Sequence, residues 1–259
     1  MSVLTGFARI DAACSQNVEN QYAEHYDIWI SRCEEVFPDV LSDPGTEGGV
    51  YVESFMGENL ACLFGTLSAQ GLDISPLKAR LANVDVVVTM STGGPVRRWL
   101  TLGKIMATAK PILIVDRICA SSCANYISPI AREILSVDGS LLVWHGGPSE
   151  ILADSSEETD IKLLAEIENF VKETGISEKI FSFSIEVAQE NTLDEIQKIS
   201  NYSISKIDGY AISPKKLARC FGYVNVNRLW HPGGNAEVYF AGVSMNKGLT
   251  FLESPRENC

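Results

Sequence analysis

The sequence lacks a long apolar run, and it lacks clustered basic charge. None of its apolar runs approaches the length of about 18 residues that a membrane-spanning helix needs. Lysine and arginine number 21 against 33 aspartate and glutamate residues, which gives a formal net charge of −12 at pH 7. Such a surface repels phosphate backbones and anionic lipid. We therefore expect no membrane span and no nucleic-acid partner.

Motifs typical of metal and redox sites are also missing. The three histidines form no HxxxH or HExxH motif, and the seven cysteines include no CxxC pair. Neither a zinc ribbon nor a redox dithiol is indicated, so we expect no cofactor and no metal. The spacing of Cys119 and Cys123 suits a helix start, where both would be small buried hydrophobic residues rather than a disulfide.

No typical secretory leader is evident at the amino terminus. The stretch MSVLTGFARIDAAC contains one basic residue and no continuous apolar core. The overall content of 46% hydrophobic and 21% charged residues is ordinary for a soluble globular protein. Two interpretations stay open: a cytoplasmic protein, which we prefer at this stage, or a periplasmic one whose leader was removed.

The first part of the chain is predicted to be an extension of the main domain. Apolar residues at three- and four-residue steps predict a helix over residues 16–36, and FPDVLSDPGTEGG predicts a loop. We therefore assign residues 1–48 to an N-terminal helical extension and loop, and residues 49–259 to one domain. Residues 50–56 suit a strand, whereas ENLACLFGTLSAQ suits a helix or a helix with a turn.

The clearest pattern begins at residue 84 and predicts an α/β fold. VDVVVTM and KPILIVDRI are typical of buried strands, and a helical segment lies between them. ASSCANYISPIA suits a helix, and EILSV and SLLVWH suit two further strands. This alternation predicts a parallel α/β arrangement. Beyond it we expect a helix with Ile161, Leu164 and Ile167 on one face that ends at Gly175, then a loop, a helix near Pro214 and a final strand in GYVNV.

Two motifs of small residues follow predicted strands. In Ser91-Thr92-Gly93-Gly94 the glycines could present backbone N–H groups to an oxyanion, although a turn with positive φ is the simpler explanation. In Cys119-Ala120-Ser121-Ser122-Cys123 a serine at a strand-to-helix turn is a candidate nucleophile. The alternative is that both serines cap the helix.

A candidate base and a candidate acid follow later in the chain. His145 ends an apolar strand and could accept the proton of the serine hydroxyl. Asp208, in KIDGYAISP, could orient the imidazole. Taken alone, His145 suits a structural role and Asp208 suits the start of an Asp-Gly turn. The order Gly, Ser, His, Asp is more specific than its parts, and no GxSxG motif of the α/β-hydrolases is present.

This order and spacing resemble the ClpP/crotonase superfamily over roughly residues 84–225, and most of all its Clp protease proteolytic subunits and Clp-like predicted periplasmic proteins. STGG stands where the family has Ser-Pro-Gly-Gly, and CASSC stands where it has a small-small-Ser segment. SLLVWH matches the strand that ends in the catalytic histidine of the family. DGYAISP, with the helix after it, resembles the segment that holds the catalytic aspartate.

The resemblance implies a ClpP/crotonase-like spiral of parallel βαβ units with flanking helices, assembled into a homo-oligomer. It implies a serine peptidase that cleaves a peptide or protein substrate, with Ser121 as nucleophile, His145 as base and Asp208 as the orienting acid. The N–H groups of Gly94 and Ser122 would form the oxyanion hole. The sequence departs from the family at Thr92, which replaces proline, and at Arg117, which replaces glycine; Ser122 leaves open a shift of one residue in the nucleophile.

Three alternatives stay open. A non-catalytic Clp-like protein would use the fold for binding or assembly. A crotonase-type acyl-CoA enzyme would need a basic pocket for the CoA phosphates, which the acidic composition disfavours. A Ser-Lys dyad could use Lys206 or Lys216, which are near Asp208 in the sequence.

Overall fold

The structure of the chain, a computed structural model, describes residues 26–68, 72–137, 139–144, 158–181, 207–226, 228–230 and 248–252. These residues form a mixed sheet with helices, which confirms the predicted α/β class. No helix in these ranges is both long and apolar enough to cross a membrane.

The strands, in chain order, are β1 (Gly49–Phe55), β2 (Glu58–Phe64), β3 (Val86–Ser91), β4 (Ile112–Ala120), β5 (Glu133–Ser136), β6 (Leu141–Trp144), β7 (Ile207–Ile212) and β8 (Gly248–Leu252). The α-helices are α1 (Tyr26–Val36), α2 (Lys78–Leu81), α3 (Val96–Met106), α4 (Ser122–Tyr126), α5 (Glu158–Thr174) and α6 (Pro214–Phe221). Short 3₁₀ turns lie at Pro38–Leu41, Ser75–Leu77 and Ser128–Ile130.

The strand order places the ends of several strands at one edge of the sheet. The order is β1-β2-β3-β4-β6-β7-β8, with β5 paired to β4 outside this path. Strands β2, β3, β4 and β6 run parallel to one another, whereas β1 is antiparallel to β2 and β7 is antiparallel to β6. The carboxyl ends of β3, β4 and β6 therefore lie at the same edge as the amino end of β7.

Strand β4 changes partner halfway along its length. Its first residues pair with β5, and Ile118–Ala120 pair with Leu141–Val143 of β6. Between these halves the register against β3 shifts, because Thr89 pairs with Val115 but Ser91 pairs with Cys119. Arg117 lies in this bulge with a φ of 59°. A bulge bends a strand and re-aims the residues that follow it, which here are Cys119 to Ser121.

Both faces of the sheet are covered by helices. One face packs against α3 to α6 through large buried side chains such as Trp99, Tyr126 and Phe170. The other face packs against α1 through Trp29 and Ile30. The predicted N-terminal helix is thus present at Tyr26–Val36, and its Cys33 is joined to Cys62 of β2 by a disulfide.

Two predicted helices behave as the periodicity indicates. Helix α5 ends at Thr174, and Gly175 follows with a φ of 74° as expected for a helix end. Its buried face holds Ile167, as predicted, but Ile161 is 61% exposed. Helix α6 begins at Pro214, where the side chain of Ser213 accepts a hydrogen bond from the N–H of Lys216.

Three local predictions are wrong. Residues 58–64 form strand β2 rather than a helix, since Leu60–Phe64 are buried between β1 and β3 and their unbroken apolar run hides the strand period. Residues 207–212, predicted as a loop, form β7 because they pair with both β6 and β8. The predicted strand at 222–226 is irregular, since Gly222 caps α6 with a φ of 79°.

The prediction for the cysteines is also wrong. Cys119 and Cys123 form a disulfide, with their Cα atoms 5.4 Å apart. Helix α4 starts at Ser122, so Cys119 is still in the strand and the chain turns between the two cysteines. A continuous helix would have carried both cysteines on one helical face, whereas the turn brings them within disulfide range. Cys220 is disulfide-bonded as well.

Candidate functional site

The backbone brings three of the predicted site residues to one edge of the sheet. Gly94 follows β3, Ser121 follows β4, and Asp208 is near the start of β7. Strand β6, which lies between β4 and β7, ends at Trp144, the residue before His145. His145 itself and the side chain of Asp208 lie outside the described residues. The sheet order therefore follows the predicted order of glycine, serine, histidine and aspartate.

Ser121 occupies a sharp turn between β4 and α4. Its backbone has a φ of 58° and a ψ of −125°, which side chains with a Cβ rarely adopt. The N–H of Ser121 donates to the carbonyl of Val143 in β6 at 3.0 Å, and the carbonyl of Ser121 accepts from the N–H of Asn125 at 2.9 Å. A residue held in such a conformation stores strain, and strained residues cluster at functional sites.

The hydroxyl of Ser121 has no structural partner among the described residues. Ser121 precedes the first residue of α4, but its side chain accepts no capping hydrogen bond from the helix. It is half-buried rather than enclosed. The capping alternative therefore does not account for Ser121, and its hydroxyl is available for another role.

Ser122 is in a different environment from its neighbour. It is only 3% exposed, and its hydroxyl donates to the carbonyl of Gly94 at 2.9 Å. This bond joins the start of α4 to the glycine turn after β3. Ser122 thus serves a structural connection through its side chain, and of the two serines Ser121 is the better candidate nucleophile.

The glycine turn is fixed by Ser91 and lies against Ser121. The hydroxyl of Ser91 accepts from the N–H of Gly93 at 2.9 Å and donates to the carbonyl of Gly65 at 2.6 Å. Gly93 has a φ of 97°, and a Cβ there would lie 2.7 Å from the Cβ of Ser121. Only glycine fits this position. The sequence pattern predicted a role for Gly94 but none for Gly93 by itself, although the adjacent glycine pair was the available signal.

Two backbone N–H groups at this turn have no acceptor among the described residues. They belong to Gly94 and Ser122, the residues that the sequence analysis assigned to an oxyanion hole. The hydrogen bond that the Ser122 hydroxyl donates to the Gly94 carbonyl holds the two residues together. The backbone nitrogen of Ser122 also lies 3.1 Å from the position that a Cβ on Gly93 would occupy. Two such N–H groups beside a candidate nucleophile suit the stabilisation of a negative oxygen.

The strand pairing also constrains the candidate base and acid. Trp144 pairs with Tyr210, two residues after Asp208, so Asp208 lies at the end of β7 that adjoins the carboxyl end of β6. Asp208 is in a strand, whereas its sequence context predicted a loop. Lys216 follows the other end of β7, at the opposite edge of the sheet from Ser121. This placement does not favour Lys216 as a partner of Ser121, and Lys206 is outside the described residues.

A buried acid lies in the β4 bulge, on the strand that leads to the site. Asp116 is 7% exposed, and one of its carboxylate oxygens has no hydrogen-bond partner among the described residues. Burial, and then the charge of Glu34, raise the pKa of Asp116 to about 6, while Arg117 opposes the shift. Arg117 is turned towards α1, where its guanidinium contacts Glu34 at 3.3 Å and the carbonyl of Leu41. This cluster joins the N-terminal helix to the bulge.

No protein-family model matches the chain, and no curated protein matches it. Among the residues that the structure describes, no group of three or more His, Cys, Asp or Glu side chains could hold a metal ion.

Proposed function

We propose that the protein is a serine hydrolase that cleaves peptide bonds. The observation that carries the proposal is the conformation of Ser121, a non-glycine residue at a φ of 58° whose hydroxyl makes no hydrogen bond within the described part of the chain. Protein chains tolerate such strain where the surrounding structure enforces it, and this occurs mainly at functional sites. The proposal explains why a serine, and not a glycine, occupies the turn.

In the proposed mechanism, His145 accepts the hydroxyl proton of Ser121 as the serine oxygen attacks the peptide carbonyl. The N–H groups of Gly94 and Ser122 stabilise the resulting oxyanion. The protonated His145 then gives its proton to the leaving amine, and Asp208 stabilises the imidazolium. Water then attacks the acyl-enzyme. His145 accepts a proton from this water and returns it to the Ser121 oxygen as the acyl group leaves as a carboxylic acid. The mechanism requires no metal and no organic cofactor.

We further propose that the fold is the ClpP/crotonase-like spiral and that the protein assembles as a homo-oligomer. The parallel β2-β3-β4 units and the change of partner along β4 support a spiral, because the first half of β4 pairs with β5 and its last residues pair with β6. Arg117 supports the alignment with the family. It stands where the family has glycine, and its φ of 59° is one that glycine adopts readily.

The disulfides support an oxidising compartment. Cys33–Cys62 and Cys119–Cys123 are both fully buried pairs in the core of the domain. Structural disulfides form and persist mainly in secreted and periplasmic proteins. We therefore replace the preference for the cytoplasm by the proposal that the protein acts outside it.

The test is labelling with a fluorophosphonate probe, followed by peptide mass spectrometry. We expect the wild type to carry the adduct on Ser121, and Ser121→Ala and His145→Ala to lose it. Ser122→Ala is the matched control: it removes a hydroxyl one residue away, but keeps the N–H group that the oxyanion needs. It should retain labelling on Ser121 at a reduced rate, since the bond to Gly94 is lost.

The outcome separates the proposal from its alternatives. An adduct on Ser122 would shift the nucleophile by one residue. No adduct on a folded and assembled wild type would favour the binding or assembly alternative. If Ser121 is labelled, a library of fluorogenic peptides and a set of acyl-CoA thioesters then decide between a peptidase and a thioester hydrolase.

A further inference from the structure

We propose that the Cys119–Cys123 disulfide is a positioning device for Ser121, so that the reactivity of this serine depends on the oxidised state of the pair. The inference rests on the proposed function, because it assumes that Ser121 is the nucleophile. It goes beyond that function by making the activity conditional on a covalent bond that does not touch the substrate.

The disulfide brackets the serine on both sides. Cys119 is the penultimate residue of β4, and Cys123 is the second residue of α4, so the bond joins the strand to the helix directly across the turn. Only Ala120, Ser121 and Ser122 lie between the two cysteines. A crosslink of sequence separation 4 leaves the enclosed backbone few conformations.

The burial of the two sulfurs favours a role in positioning the turn, since a surface disulfide would not contact the core. Both cysteines are fully buried in the core on the side of α3 to α6. The sulfur of Cys123 also lies 3.4 Å from the hydroxyl of Thr89, which donates to the carbonyl of Leu63. The crosslink therefore packs against β3, so it ties the turn to the core of the sheet as well as closing a loop.

The backbone of Ser121 needs such support. Its positive φ is disfavoured for any residue with a Cβ, so the turn will relax unless its neighbours prevent it. The hydrogen bonds from Ser121 to Val143 and from Asn125 to Ser121 are single interactions that can open locally. Relaxation would change the position of the Ser122 N–H relative to Gly94 and the direction of the Ser121 hydroxyl. The covalent bond prevents both movements.

A second disulfide in the same chain provides a matched control. Cys33–Cys62 joins α1 to β2 across 29 residues, on the opposite face of the sheet. It should contribute more to global stability than the short crosslink, because it closes a longer loop of the unfolded chain. Neither Cys33 nor Cys62 forms a hydrogen bond to the glycine turn or to α4 within the described part of the chain. The two disulfides thus separate a loss of stability from a loss of positioning.

The experiment compares Cys119→Ala/Cys123→Ala with Cys33→Ala/Cys62→Ala and with wild type. For each protein, the fluorophosphonate concentration is varied to separate the maximal labelling rate from the half-saturating concentration, and the melting temperature is recorded. We expect removal of Cys119–Cys123 to lower the maximal rate at least tenfold with little change in half-saturation. We expect removal of Cys33–Cys62 to lower the melting temperature more, but to change the maximal rate less than twofold.

A reversible arm covers the case in which the double variant does not fold. The Cys33→Ala/Cys62→Ala protein is treated with dithiothreitol, which delivers two electrons and two protons to the Cys119–Cys123 bond and becomes its own cyclic disulfide. Mass spectrometry after alkylation of a parallel sample quantifies the reduced Cys119–Cys123 pair and, separately, reduction at Cys220, which is also disulfide-bonded. Only samples in which Cys220 stays oxidised are compared. We expect the maximal labelling rate to fall with the reduced fraction and to return on reoxidation.

The outcomes distinguish this inference from the proposed function. If the wild type carries no adduct, the proposed function fails first. If the wild type is labelled and the Cys119–Cys123 pair can be removed or reduced with no change in the maximal rate, the positioning role is wrong and the serine assignment stands. Equal losses of rate in both disulfide variants would also overturn it, because they would show a purely global effect.

Discussion

Arg117, within β4, and Ser121, directly after β4, share a positive φ but have different side-chain environments. Arg117 and Ser121 have φ angles of 59° and 58°, and neither is a glycine. The backbone N–H of Arg117 donates to the hydroxyl of Ser140 at 2.8 Å, and its guanidinium contacts Glu34 and the carbonyl of Leu41. The Ser121 side chain makes no such contact within the described residues.

The difference separates strain that supports the fold from strain that supports a site. At Arg117 the side chain gains contacts that help to offset the backbone cost, and it ties α1 to the bulge. At Ser121 no described residue forms a hydrogen bond with the hydroxyl, and the proposed catalysis supplies a reason for the strain.

Gly93→Ala should have the largest effect, because the added methyl group would collide with the Ser121 turn. The new Cβ would lie 2.7 Å from the Cβ of Ser121 and 2.8 Å from the carbonyl oxygen of Ala120. We expect a loss of about 3 kcal/mol or more in the free energy of unfolding, and no labelling of Ser121. Chemical denaturation and probe labelling measure the two effects.

Gly57→Ala is the control for the backbone contribution. Gly57 has a similar φ of 89°, but nothing lies within 4 Å of the position that its Cβ would occupy. We expect a loss of about 1 kcal/mol from the positive φ alone, with labelling unchanged. If both variants lost the same amount, steric contact with Ser121 would not be the reason for glycine at position 93.

Asp116 provides a pH-dependent test of the bulge. Burial first, and then Glu34, raise its folded-state pKa to about 6 from an ordinary value of 3.8. The folded protein therefore favours the neutral carboxyl. The stability that this group contributes is fully present below about pH 4 and is lost as the pH rises through about 6. Asp116→Asn should remove this dependence and stabilise the protein above pH 7 by roughly 2–3 kcal/mol.

The measurement for Asp116 is the free energy of unfolding of both proteins between pH 4 and pH 8. Glu34→Gln is the partial control. It removes the second cause of the shift but leaves burial, the largest cause, in place. Its pH dependence should therefore be weaker than that of the wild type without disappearing. Parallel curves for wild type and Asp116→Asn would show that the carboxyl is solvated in the folded protein.

Labelling of Ser121 by the probe should persist in both variants at neutral pH, because the bulge supports the fold and does not take part in the reaction.

The part of the fold that was predictable from sequence is the part whose pattern is local. The β-branched runs of β3 and β4 and the period of α5 appear directly in the sequence, and so do the small residues after β3 and β4. These features placed Gly94 and Ser121 after adjacent parallel strands. No distant contact was needed to see them, because parallel βαβ units bring consecutive carboxyl ends to one edge.

The rest depended on contacts between distant residues. Strand β7 forms because it pairs with β6 and β8, and nothing in KIDGYAISP distinguishes it from a turn. Strand β2 is buried between two strands, so its apolar run has neither the helical nor the alternating period. The Cys119–Cys123 disulfide depended on where α4 begins, since a start three residues earlier would have placed both cysteines in the helix. Element boundaries are the least determined feature of a sequence pattern.

Ser121→Gly should have the smallest effect on stability, and it compares the two strained residues directly. Glycine adopts a φ of 58° without a steric cost, so the variant should be more stable than wild type by about 1 kcal/mol after the greater entropy of the unfolded glycine chain is subtracted. Arg117→Gly relieves the same backbone strain but loses the contacts to Glu34 and Leu41, so we expect no gain or a loss of about 1 kcal/mol. Ser121→Ala removes the hydroxyl and keeps the strain, so it should not gain stability.

A gain in Ser121→Gly alone, together with loss of labelling there and retention of labelling in Arg117→Gly, would mark the serine as a residue kept for reactivity at the expense of the fold. A loss of stability in Ser121→Gly would instead show that the hydroxyl supports the structure, and the proposed nucleophile would then need to be sought elsewhere.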